Sequence, residues 1–215
     1  MGLDAAAGAL ILLGGSAPQI APRLLGWGLE HRSAQGRVVV RITEVEAYAG
    51  GADPASHAYR GLTERTAVMF GRAGGLYVYR SYGLHWACNI VCGPEGVASA
   101  VLVRAGAVVV GEDLANRRRG HVSAAALARG PGNLTRALGI TAVHNGVDLL
   151  DPGSPVRLIP ASDDVMAADP PSVMTGPRVG VSRAWARPWR FWIAGDPSVS
   201  TYRRSPRATS ESEHE

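Results

Sequence analysis

Val38, Val39, Val40, Ile42 and Val45 crowd the stretch Arg37–Tyr48, with no Gly or Pro among them. Such β-branched density predicts a strand. Because alternate strand residues share a face, Val38, Val40, Ile42, Glu44, Glu46 and Tyr48 are expected on one side. Val39, Arg41, Thr43, Val45 and Ala47 are expected on the other. Trp27–Glu30 reads as a partner strand, joined through the turn Ser33-Ala34-Gln35-Gly36. Leu76–Arg80 and Leu84–Val91 form a second predicted hairpin around Ser81-Tyr82-Gly83. Further strands are predicted at Ala98–Ala105, Asp148–Ile159 and Arg190–Ala194. Pro18–Leu25, Leu114–Arg119, Ser123–Ala128 and Asn133–Leu138 have helical spacing, and Gly50–Thr66 is a polar loop. Strands and helices do not alternate regularly, so the expected class is α+β: one domain over residues 1–202, with a curved mixed or antiparallel sheet and short helices. From Arg203 onward Ser, Pro, Arg and Glu dominate, which predicts a disordered tail over residues 203–215.

Candidate chemistry concentrates in Thr43–Tyr59, which holds Glu44, Glu46, Tyr48, His57 and the Gly50-Gly51 break. A strand face that begins apolar and ends in two carboxylates and a phenol suggests a built site. The alternative is a strand end whose glutamates reach water or pair with arginine. On the Leu76–Val91 hairpin, Tyr77 and Tyr79 share one face and His85, Ala87 and Asn89 another. Tyr82 sits at the tip, either laid on the local surface or inserted into a partner. Arg117-Arg118-Arg119 is a phosphate-contact candidate or a solvated helix end.

Composition narrows the chemistry. The chain of 215 residues carries a formal net charge of +4, and Ser210–Glu215 contribute three glutamates. Without those six residues 22 basic residues face 15 acidic ones, a net +7, which suits a polyanionic partner. All 22 basic residues are arginine. No side-chain amine is therefore available for a Schiff base, and amine catalysis could come only from the N-terminus. Cys88 and Cys92 on one strand would lie roughly 13 Å apart, too far for a disulfide. They read as free thiols in a reducing compartment and make no zinc site. Ala5–Leu13 is apolar but short, and nothing reaches transmembrane length.

Several stretches resemble the alkyladenine (3-methyladenine) DNA glycosylase family. They are Ile42–Gly50 (ITEVEAYAG), Asp53–Gly61 (DPASHAYRG), Leu76–Ile90 (LYVYRSYGLHWACNI), Val101–Ala105 (VLVRA), Arg129–Leu138 (RGPGNLTRAL) and Arg178–Ser182 (RVGVS). The resemblance implies a monomeric, cytoplasmic base-excision repair enzyme that needs no cofactor or metal. Its partner would be damaged double-stranded DNA, with no membrane contact. It also implies roles: Glu46 as general base, with Arg104 and the backbone near Val181 holding the attacking water and a phosphate. Tyr48, His57 and Tyr79 would wall a flipped-base pocket, and Asn89 would crowd the 2-amino group of guanine. Tyr82, at the tip of the protruding Leu76–Val91 hairpin, would fill the gap left in the duplex. Arg178, Val181 and Ser182 are candidate contacts to the DNA backbone. Arg80 and the Arg60–Glu64 loop depart from the commoner family sequences and bear on lesion range. The competing reading is a non-catalytic binder of damaged or single-stranded nucleic acid.

Overall fold

The computed structural model describes residues 3–81, 83–160 and 172–208. Eight strands form one antiparallel sheet: β1 (Gly28–Ser33), β2 (Gly36–Tyr48), β3 (Leu76–Ser81), β4 (His85–Val91), β5 (Ala100–Val110), β6 (Val156–Ile159), β7 (Val173–Gly176) and β8 (Arg190–Ile193). The main path runs β3-β4-β5-β2-β1-β6. β2 is long enough to take β1 along its first half and β8, which carries β7, along Glu44–Glu46. Helices α1 (Leu3–Leu13), α2 (Ala17–Ile20), α3 (Glu112–Arg119) and α4 (Pro131–Leu138) are short, in keeping with the expected α+β class. The core joins Leu134, Ala137 and Leu138 of α4 to Val38, Val40 and Ile42 of β2 and Val101 and Val103 of β5. No described helix is long and apolar enough to cross a membrane.

The expected alternation along β2 breaks at Thr43. Register passes from Ile42↔Gly106 to Glu44↔Ala105, and then from Glu44 to Val45↔Val103. Thr43 on β2 and Arg104 on β5 thus have no cross-strand partner. One extra residue reverses the two-residue period. Val45 and Ala47 therefore continue the core begun by Val38, Val40 and Ile42, whereas Glu44, Glu46 and Tyr48 emerge on the opposite face. The glutamates do not share the apolar face, as simple alternation requires; the bulge turns them away from it.

Other expectations need correction. Of Asp148–Ile159 only Val156–Ile159 is strand, because Asp148 and Asp151 accept the Leu150 and Gly153 amides and bend the chain into turns. β7 was not anticipated: four exposed or half-buried residues carry too little pattern. Arg118 and Arg119 are not free for phosphate. Arg118 donates to the Ala137 and Leu138 carbonyls, at 3.1 and 2.6 Å, and Arg119 to the Leu127 carbonyl at 2.8 Å. They satisfy helix and turn ends. The Arg203 carbonyl accepts the Gly180 amide at 3.0 Å, and Arg204 lies 4.1 Å from the Trp185 ring centroid. Residues 209–215 lie outside the described residues. Cys88 and Cys92 are buried free thiols, pushed up to about 12 and about 11 by burial.

Two buried histidines are expected to make the fold acid-sensitive. His31 Nδ1 donates to the Leu138 carbonyl at 2.7 Å, and the His31 and His144 rings meet edge to face at 4.6 Å. Burial lowers both pKa values. Arg118 adds to the lowering at His31, and His31 adds to it at His144. The unfolded chain therefore binds these protons more readily, so the contribution is complete above the ordinary histidine value of 6.5 and is lost as pH falls below it. The urea midpoint is expected to drop between pH 7.5 and 5, and His31→Asn should flatten that slope; an unchanged slope would count against the pair.

Candidate active site

A cavity of about 720 Å³ opens on the sheet face to which the bulge delivers Glu46. Its floor is one row of residues crossing four neighbouring strands. Glu46 is in register with Leu102, Leu102 with Asn89, and Asn89 with Tyr77. Beyond β2, the chain turns at Gly50, whose φ is +53° and whose added Cβ would lie 2.2 Å from the Ala98 carbonyl oxygen. Only glycine fits there, and the turn carries the 53–57 segment over the cavity.

The two glutamates have separate duties. Glu44 accepts from Arg104 Nε at 3.0 Å, Arg190 Nε at 2.6 Å, and the Ser200 amide and hydroxyl at 2.7 and 2.9 Å. It is saturated and structural, as the arginine-paired alternative requires. Glu46, fully buried by its surroundings, lines the cavity. Its Oε1 accepts the Val179 amide at 2.7 Å and faces Arg104 Nη1 at 3.3 Å, while Oε2 accepts the Tyr48 hydroxyl at 2.8 Å. A carboxylate has about four acceptor positions; donors among the described residues occupy three, which leaves one for a water.

Rings form the opposite wall. His57 meets Tyr79 edge-on at 4.4 Å, Tyr77 and Tyr79 stack at 5.6 Å, and His57 Nδ1 lies 3.3 Å from the Tyr77 hydroxyl. Burial, and next the charge of Arg65, lower His57 to about 4, so the ring is neutral near pH 7. Burial and then Glu46 push Tyr79 up to about 12 and raise Tyr48 well above the ordinary phenol value; both stay neutral phenols. Asn89 is fixed by donating Nδ2 to the Tyr77 carbonyl at 3.1 Å. The neutral rings offer apolar faces, and the carboxylate sits at one edge of them. That arrangement can hold a flat heterocycle and present a base to a neighbouring atom.

Of the residues singled out by sequence, Glu46, Tyr48, His57, Tyr79, Asn89, Arg104, Val181 and Ser182 line this cavity. Tyr82 lies outside the described residues; its neighbour Leu84 is 73% exposed. Arg178 does not reach the surface. Its side chain is fully buried, forked onto Asp53 at 2.5 and 2.8 Å and seated 4.7 Å behind the Tyr48 ring. It braces the pocket wall and, contrary to expectation, offers no exposed guanidinium to a phosphate. Burial alone would lower the Arg178 pKa, but the hydrogen bond and charge of Asp53 raise it. Tyr77, Met69, Arg65 and the Val179 amide were missed. Tyr77 carried a signal, its shared face with Tyr79; a loop amide leaves none in a sequence.

Comparison with known proteins adds an independent line. Residues 12–197 match the methylpurine-DNA glycosylase family. A protein of Mycolicibacterium paratuberculosis is 52% identical over 196 residues, covering 88% of this chain and 90% of its own length. One from Mycobacterium tuberculosis is 53% identical over 194 residues, covering 87% and 90%. One from Nocardia farcinica is 53% identical over 197 residues, covering 89% of each. All three carry the name "Putative 3-methyladenine DNA glycosylase". The family match runs through every strand that floors the cavity, and relatives from three genera align over about nine-tenths of their length with more than half the aligned positions identical; the chain belongs to the methylpurine-DNA glycosylase family.

Proposed function

We propose that this glycosylase hydrolyses the N-glycosidic bond of alkylated or deaminated purines everted from duplex DNA, and that it leaves the strand uncut. The observation that carries the reading is the placement of Glu46, a carboxylate with one free acceptor position at the edge of a ring-walled cavity. The damaged atom cannot be reached within the stack, so the nucleotide must leave it, at a few kcal/mol. The base then lies among Tyr48, His57 and Tyr79, with Asn89 below. Glu46 takes a proton from water as the water oxygen bonds to C1′ and the C1′–N bond breaks. Arg104, held between Glu44 and Glu46, fixes the carboxylate. An N-alkylated purine leaves as a neutral base and needs no acid; a deaminated purine leaves with the electron pair of the C1′–N bond and takes up a proton from water. Tyr82 has the family resemblance in favour of a wedge role. A binder without hydrolysis has no use for a carboxylate beside the sugar.

The test is incubation with alkylated or inosine-containing duplex. Release of free base together with alkali-labile sites is expected. Because the chain contains no lysine, borohydride should trap no covalent enzyme–DNA adduct, and strands should break only after alkali. A trapped adduct would overturn the uncut-strand claim; absence of released base would overturn the glycosylase reading of this site.

A further inference from the structure

We propose that Arg65 is a specificity-determining residue of the base pocket, a forked donor that favours uncharged purines with an acceptor edge, such as hypoxanthine, over cationic alkylated purines. The assignment rests on the purine-excision reading above. The Arg65 guanidinium lies 5.8 Å from the Tyr79 ring centroid and lines the same cavity as Glu46. It lies beside the Tyr77 hydroxyl, where it opposes the upward push that burial gives that phenol. Among the described residues no carboxylate pairs with it. The ion pairs belong to Arg32, Arg37, Arg41, Arg104, Arg157, Arg178 and Arg190. Glu46, the carboxylate of the cavity lining, already faces Arg104 at 3.3 Å, and His57 adds no charge near pH 7. Arg65 is therefore a surplus cation, exposed at the mouth of the ring-walled cavity.

That surplus discriminates in two ways. A second cation held about 6 Å away is disfavoured, by up to about 100-fold at an effective dielectric of about 20 and by less where water and salt screen the exposed guanidinium. Guanidinium has five donors and no acceptor; it fits the O6 and N7 acceptors of a 6-oxopurine and opposes the 6-amino donor of an adenine. A forked contact of this kind discriminates about 5- to 150-fold. 3-Methyladenine bears both the charge and the amino group, and hypoxanthine neither.

The experiment compares single-turnover release of hypoxanthine from an inosine duplex and of 3-methyladenine from methylated DNA, for the parent, Arg65→Met and Arg65→Lys. Arg65→Met should lower the hypoxanthine-to-3-methyladenine rate ratio about tenfold or more. Arg65→Lys keeps the charge and loses the fork, so its ratio should fall between those of Arg65→Met and the parent. A ratio shared by all three proteins, whether both rates hold or both fall together as for a phosphate contact, would overturn the assignment. A parent that releases neither base overturns the glycosylase reading itself; a parent that releases both, with an unmoved ratio, overturns the role of Arg65 alone.

Discussion

Glu46→Gln is expected to cut base excision about 10²- to 10⁴-fold, the usual scale for a general base, while affinity for lesion duplexes is largely retained. The amide is close to isosteric, and its oxygen can keep the Val179 amide and Arg104, which both address Oε1. Its nitrogen would face the Tyr48 hydroxyl, which now donates to Oε2. What disappears is the ability to take a proton from water. Single-turnover release measured beside equilibrium binding separates the two effects. Excision at the parent rate would remove Glu46 from the chemistry. Glu44→Gln is the informative neighbour: its four donors serve the fold, so its loss should appear in stability before it appears in rate.

That the two glutamates part company was only half legible in the sequence. Glu-x-Glu at the end of a β-branched run marked the place, and the Leu76–Val91 hairpin supplied Tyr79 and Asn89 on the strands where they lie. Alternation, however, put Glu46 on the apolar face. A bulge is set by pairing with β5, where Arg104 also falls out of register, and pairing between distant strands leaves no mark on local spacing. Arg178 was misread for a related reason. Arginine predicts exposure unless its counter-ion is known, and Asp53 stands 125 residues away. Asp148–Ile159 failed through turn chemistry: Asp148 and Asp151 hold local amides, which outweighs the apolar residues between them. Side chains on regular strands were readable; partners brought together by the fold were not.

Arg178→Met should be the most destabilising single change near the site, by about 3–5 kcal/mol, because it leaves a buried carboxylate without its partner. For a chain of this length that is a fall in Tm of roughly 6–20 °C. Asp53 has no solvent to fall back on, since both side chains of the pair are fully buried. Methionine can refill the space between Tyr48 and Trp189, which Arg178 now faces at 4.7 and 5.2 Å, but it cannot supply the donors held by Asp53 and the Ala47 carbonyl. Arg41→Met is the control. Arg41 pairs with Asp196 at 2.8 Å but is 19% exposed, and water can take over part of the lost contact. Asp53→Asn combined with Arg178→Met should cost less than the sum of the two single changes, because the double variant buries no unpaired charge. Strict additivity would mean that the two groups do not act as a pair. Excision by whatever folded Arg178→Met protein remains should also fall, since Val179, the next residue, holds Glu46 through its amide. The ion pair thus ties the turn that carries His57 to the loop that orients Glu46.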